Sequence, residues 1–90
     1  MRSTTPLRLL CAPGMPDYRI NMHPNEGADL GLMMTSYSVT LGDGGYAELH
    51  LRNDCPKESV EVNPRFWERL GKPSKAVLTL EGEVLRIEKR

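Results

Sequence analysis

The sequence predicts a small, mainly β fold of the α+β class: an antiparallel sheet or partly open barrel built of two hairpins, with one short two-turn helix at about residues 64–70. Three observations carry this expectation. Apolar residues alternate on both sides of two glycine-containing turns, the pattern of half-buried hairpins. One segment has both of its helix ends written into it. Pro6, Pro13, Pro16 and Pro24 interrupt every window of residues 1–32 in which a long helix could form.

The first hairpin occupies residues 33–51. Met33, Thr35, Tyr37, Val39 and Leu41 lie at period two, Gly42-Asp43-Gly44-Gly45 reverse the chain, and Ala47, Leu49 and Leu51 resume the alternation. Glu48, His50 and Arg52 then point to the opposite face. Glu58–Val62 is a short strand. Asn63 follows as an N-cap, with Pro64 at the first helical position, where its missing N–H costs nothing. Phe66, Trp67 and Leu70 form one apolar stripe, Gly71 is the left-handed residue after the helix, and Pro73 prevents continuation. A helix this short is unstable alone, so its stripe must pack on the sheet. In the second hairpin Ala76, Leu78 and Leu80 precede a Glu81-Gly82 turn, which pairs Leu80 with Glu83, Leu78 with Leu85 and Ala76 with Ile87. Val77 and Val84 on the other face indicate that it too is covered, as a partner subunit would cover it.

Residues 1–32 read as an irregular Pro/Gly-rich region with short extended pieces at Leu7–Cys11 and Tyr18–Met22, and a turn or exposed loop over His23–Gly27. The plan is one small domain over 1–90, with hairpin, strand, helix and hairpin filling 33–90.

Twelve basic and twelve acidic residues balance, which excludes a polycation and an acidic tail. No apolar run approaches the roughly 18 residues of a membrane span. The run Leu7–Ala12 is broken by Arg8 and closed by Pro13, unlike a signal-peptide core. Cys11 and Cys55 are too few for a disulfide framework and read as free thiols of a cytoplasmic protein. With so few large aromatic side chains, dimerisation would be a natural way to complete the core.

The order of segments from Lys57 to Lys89 carries a resemblance. Ser59-Val60-Glu61-Val62 is followed by Pro64-Arg65-Phe66-Trp67-Glu68-Arg69-Leu70-Gly71, then Lys72-Pro73-Ser74-Lys75-Ala76-Val77 and Leu80-Glu81-Gly82-Glu83-Val84-Leu85-Arg86-Ile87. This resembles the swapped-hairpin DNA-binding domain of the SpoVT/AbrB/MazE family: strand, Pro-started helix ending in Leu-Gly, Lys/Pro turn, strand, acidic-Gly turn, strand. The resemblance implies a homodimer formed through exchanged hairpins and a bacterial transcription regulator or antitoxin. Residues 1–56 lie outside it.

Charge is graded along the chain: residues 1–30 are neutral, 31–60 carry a net −2, and 61–90 a net +2. The densest basic cluster is Arg65, Arg69, Lys72 and Lys75, which can meet a phosphate backbone or form a solvated helix face. Phe66 and Trp67 beside it form a candidate interface anchor. These six residues are the expected nucleic-acid or partner-binding site. Cys11, His23, His50 and Cys55 are zinc-ligand types without ligand spacing, and no nucleophile–base motif appears. No catalytic residue, metal or cofactor is therefore assigned. The expected function is a non-enzymatic regulatory binding protein acting on DNA. The alternative is an inhibitor or adaptor, of phage or mobile-element type, that acts through a protein interface without a DNA role.

Overall fold

The computed structural model describes all 90 residues. Its elements are Arg2–Ser3 (β1), Leu7–Cys11 (β2), Arg19–Met22 (β3), Pro24–Asp29 (α1), Ser36–Leu41 (β4), Tyr46–Leu51 (β5), Ser59–Val62 (β6), Pro64–Arg69 (α2), Lys75–Glu81 (β7) and Val84–Lys89 (β8). The expected β-rich class holds. The sheet runs β7-β2-β6-β3-β5-β4-β8 and returns to β7, so seven strands close into a barrel, with β1 paired on β7. The barrel is thus closed rather than partly open. Its pairing is mixed, because β2–β6, β3–β5 and β4–β8 are parallel.

The two halves of the barrel repeat one another at a spacing of 40 residues, as from Pro24 to Pro64. The parallel ladder from Arg8↔Ser59 to Cys11↔Val62 is matched, with the halves exchanged, by Glu48↔Arg19 to Leu51↔Met22. Ala12 N–H donates to Val62 O at 2.8 Å, and Arg52 N–H donates to Met22 O at 2.9 Å. The pseudo-twofold axis passes between Asn21 and Glu61, paired at the centre of β3 and β6. Both helices start alike: the His23 and Asn63 side chains accept the backbone N–H two residues on, and proline follows each cap. Both also end alike. Gly31 and Gly71 have φ of 77° and 89°, and the next N–H returns to Gly27 O and Trp67 O at 2.9 Å each.

Residues 1–32 are accordingly more ordered than the irregular region expected. Leu7–Cys11 and the Tyr18–Met22 piece become strands, but His23–Gly27 opens a second helix instead of forming a turn. The strand–helix–hairpin unit at 59–89, which the resemblance pairs with its copy in another chain, is here paired with residues 19–51 of the same chain. Closing this barrel requires no second molecule.

The core is aliphatic. Leu7, Ile20, Met22, Leu49, Val60 and Leu78 are among its fully buried side chains, and Leu30 and Phe66 join it from the helices. In the first hairpin Val39 and Leu41 are buried as expected, but Met33 is 93% exposed because β4 begins only at Ser36. The second hairpin turns at Gly82-Glu83, not Glu81-Gly82, so Leu80 pairs with Leu85 and Leu78 with Ile87. Moving the register by two preserves the alternation, and the same residues stay on the same faces. Val77 and Thr79 are buried on the opposite face by the chain itself, not by a partner.

The halves diverge where they pack. A Cβ on Gly27 would lie 2.6 Å from Leu51 Cδ1, so glycine lets α1 approach that leucine closely. The corresponding positions of the other half hold Trp67 on the helix and Cys11 on the strand, an exchange of large and small. Glu26 stands where α2 has Phe66. It is buried, and its Oε2 has no hydrogen-bond partner. Glu26→Met keeps the volume and removes this orphan oxygen. It is expected to raise the unfolding free energy by about 1–3 kcal/mol. A lower urea midpoint would contradict this account.

Candidate nucleic-acid interface

Helix α2 organises the basic surface. Asn63 Oδ1 accepts from Arg65 N at 2.7 Å, while its Nδ2 donates to Met15 O at 2.7 Å and ties the helix start to the loop after β2. Phe66 turns inward and is 4% exposed; Trp67 is half-buried, and its indole N–H donates to Pro73 O at 3.0 Å. The aromatic pair is therefore engaged mainly within the fold. Cations lie over it: the Arg69 guanidinium carbon is 5.2 Å from the Phe66 ring centroid, and Lys72 Nζ is 5.9 Å from that of Trp67. Contacts of this kind at exposed sites contribute about 0.5–1 kcal/mol and hold the charged heads at the surface.

Arg65, one turn before Arg69, lies 3.4 Å from Asp17 in an exposed pair of little consequence for stability. Asp17, Glu68, Arg65 and Arg69 line a shallow polar cleft there. Lys75 opens β7 and is exposed. The six expected site residues thus all lie on α2 and the chain leading from it to β7. Phe66 alone is buried.

The tertiary structure adds three cations. Arg8 on β2 is the register partner of Lys75, and Arg90 N–H donates to Lys75 O at 2.9 Å. Lys89 Nζ lies 3.1 Å from where a Cβ on Gly71 would stand. These residues are remote in sequence from the 65–75 cluster, and only the β2–β7–β8 pairing brings them to it. The expected second hairpin, which pairs Ala76 with Ile87, already carries Lys89 and Arg90 back toward Lys75, whereas no local pattern signals Arg8, which arrives through the β2–β7 pairing.

A second cluster lies on the outer face of β5. Tyr46 O–H donates to Glu48 Oε2 at 2.8 Å, and His50 Nε2 is 2.9 Å from Glu48 Oε1. These bonds, from His50 first and Tyr46 second, hold the Glu48 carboxyl below its ordinary range. The period-two spacing of Tyr46, Glu48 and His50 was the sequence signal for this cluster. Its polar groups bond to one another.

Cys11 and Cys55 are both free. Cys11 is exposed. Cys55 is buried, and burial, reinforced by Glu61 and Asp54, pushes its thiol up to about 12. It is a protonated, unreactive thiol near neutrality. At pH 8, iodoacetamide is expected to label Cys11 in the native protein and Cys55 only after unfolding; equal rates would refute the assignment. Above the ordinary value of 9.0 the unfolded chain loses this proton while the folded chain keeps it. Stability therefore falls as pH rises from there toward 12. His23 serves as the α1 cap and His50 bonds Glu48, and nowhere do three metal-ligating side chains converge.

Comparison with family models, with curated proteins and with solved structures finds no match to this chain.

Proposed function

We propose that this is a non-enzymatic binding protein that docks a nucleic-acid phosphate backbone on the surface formed by α2, the start of β7 and the end of β8. The observation that carries this reading is the gathering of Arg8 and Arg90 beside Lys75 and of Lys89 beside Gly71, which extends the Arg65, Arg69 and Lys72 row across three strands. A surface of this kind recognises phosphate charge and releases bound counterions. The resemblance to swapped-hairpin DNA-binding domains supports the same reading, with a regulator or antitoxin as its biological setting. The outward charges also remain available: Lys72 and Lys75 carry no ion pair, and the Arg65–Asp17 contact is solvent-exposed.

The test is fluorescence anisotropy with a labelled duplex of mixed sequence at low salt. Saturable binding that weakens steeply as salt rises is the expected result. No binding at 50 μM protein, on the order of the non-specific affinity of DNA-binding proteins, would overturn the proposal.

A further inference from the structure

The pseudo-twofold axis gives most of the α2 side an equivalent on the α1 side. β2 matches β5, β3 matches β6 and β4 matches β7, and the helices correspond from the caps His23 and Asn63 to Leu32 and Lys72. β8 lies between β4 and β7, pairs with both, and has no equivalent. The backbone is symmetric, but its charge is not. Arg65, Arg69 and Lys72 correspond to Asn25, Asp29 and Leu32. The Arg8↔Lys75 pair of β2 and β7 corresponds to Glu48↔Ser38 of β5 and β4. Lys89 closes β8 and Arg90 follows it, so neither has a counterpart. None of the seven cations is repeated, and two of the five equivalent positions hold carboxylates.

The α1 side has cations of its own, but they form no row. Arg2 lies beside Gly31, and Lys57 stands at the equivalent of Asp17. Arg19 is the register partner of Glu48 and donates to Asn21 Oδ1 at 3.2 Å. Arg52 is held by Asp54 at 2.9 Å. Asp29 is exposed on α1, where α2 exposes Arg69. A phosphate backbone is therefore attracted to one side of the barrel and met by carboxylates on its equivalent.

We infer, resting on the nucleic-acid reading above, that the chain is one-sided toward its ligand: one duplex meets the α2 side alone, and the α1 side makes no phosphate contact. Proteins with a true twofold axis bind two half-sites that mirror their symmetry. Here the symmetry of the fold is not carried by the charges, so the ligand is a single unrepeated tract of duplex. The molecule is 28 Å across. At about 3.4 Å per base pair, that span covers about 8 base pairs.

The probe is a mixed-sequence duplex of about 10 base pairs, just longer than this span, added to the full chain. With duplex in excess, sedimentation is expected to show one duplex per chain. Amide shifts in the same titration are expected to move over α2 and residues 72–75 and to stay fixed over α1 and at Glu48. Asparagine at the two equivalent exposed positions separates the sides. At 0.1 M salt, where charge is screened over about 10 Å, Arg69→Asn is expected to weaken binding by about threefold or more, and Asp29→Asn to change it by less than about twofold. Two duplexes per chain, shifts of equal size over α1, or tightening by Asp29→Asn as large as the weakening by Arg69→Asn would overturn the one-sidedness and leave nucleic-acid binding standing. Absence of binding by the unsubstituted chain would remove the nucleic-acid reading and this inference with it.

Discussion

Leu78→Ala is expected to lower the unfolding free energy by about 3–5 kcal/mol, the upper range for a buried leucine truncated to alanine. Leu78 is fully buried at the middle of β7, the strand that receives β1, β2 and β8. Its backbone is fixed on one side by Thr4 and its strand on the other by β8, so the surroundings have little freedom to collapse into the cavity. A chain of this length has a total stability of roughly 5–14 kcal/mol, and the loss removes a large part of it. Urea unfolding followed by circular dichroism measures the change. Met33→Ala is the control: although its sequence position predicts an inward side chain, it is 93% exposed, and its loss is expected to stay within about 0.5 kcal/mol. A cost for Met33→Ala comparable to that of Leu78→Ala would contradict the observed start of β4.

The second large effect concerns the basic surface. If Arg8, Arg65, Arg69, Lys72, Lys75, Lys89 and Arg90 all meet phosphates, the logarithm of affinity falls against the logarithm of salt with a slope of about −6, at roughly 0.9 per contact. Lys72→Gln with Lys75→Gln removes two contacts and is expected to flatten the slope by about 1.8. Binding at low salt is expected to weaken by about tenfold or more. Neither lysine has an ion pair within the chain, so the loss of unfolding free energy is expected not to exceed the about 0.5–1 kcal/mol of the Lys72–Trp67 contact. Lys72 has a left-handed φ of 55°, a strain that glutamine inherits unchanged. Arg52→Gln is the control in the other half of the barrel. Its guanidinium is already held by Asp54 at 2.9 Å, and the salt slope is expected to be unaffected by its loss. An unchanged slope in the double variant would remove Lys72 and Lys75 from the interface.

Part of the fold was legible because it is encoded by neighbours in sequence. Asn63-Pro64 and Leu70-Gly71 define α2 by local hydrogen bonding and backbone preference, and the helix appears there. The same signals stand at His23-Pro24 and Leu30-Gly31, yet they are harder to read. Histidine is a less common cap, and buried Glu26 and Gly27 replace the Phe66-Trp67 stripe that marks the second helix as amphipathic. The 40-residue repeat was hidden for a related reason. What the halves share is backbone conformation and register, while the side chains that would reveal it have been exchanged, as in Gly27 with Leu51 against Trp67 with Cys11.

For the candidate site, Arg65, Arg69, Lys72 and Lys75 were readable as one cluster because helical spacing and a short turn keep them together. Phe66 was readable as an apolar helix residue, but its burial depends on what closes around α2. Lys89 and Arg90 return to that cluster through the hairpin that the alternation and the turn encode, but Arg8 was not readable with it, since it reaches Lys75 only through the long-range β2–β7 pairing.

By itself, then, the sequence determined a β-rich chain, the period-two faces of its two hairpins, the capped second helix and a basic segment following it. Each of these follows from interactions between residues a few positions apart. The tertiary structure alone decided that the barrel closes within one chain and that parallel ladders relate its halves about Asn21 and Glu61. These depend on which strands meet, and that choice is settled by burying both halves' apolar faces in one core, a global condition that no local pattern encodes.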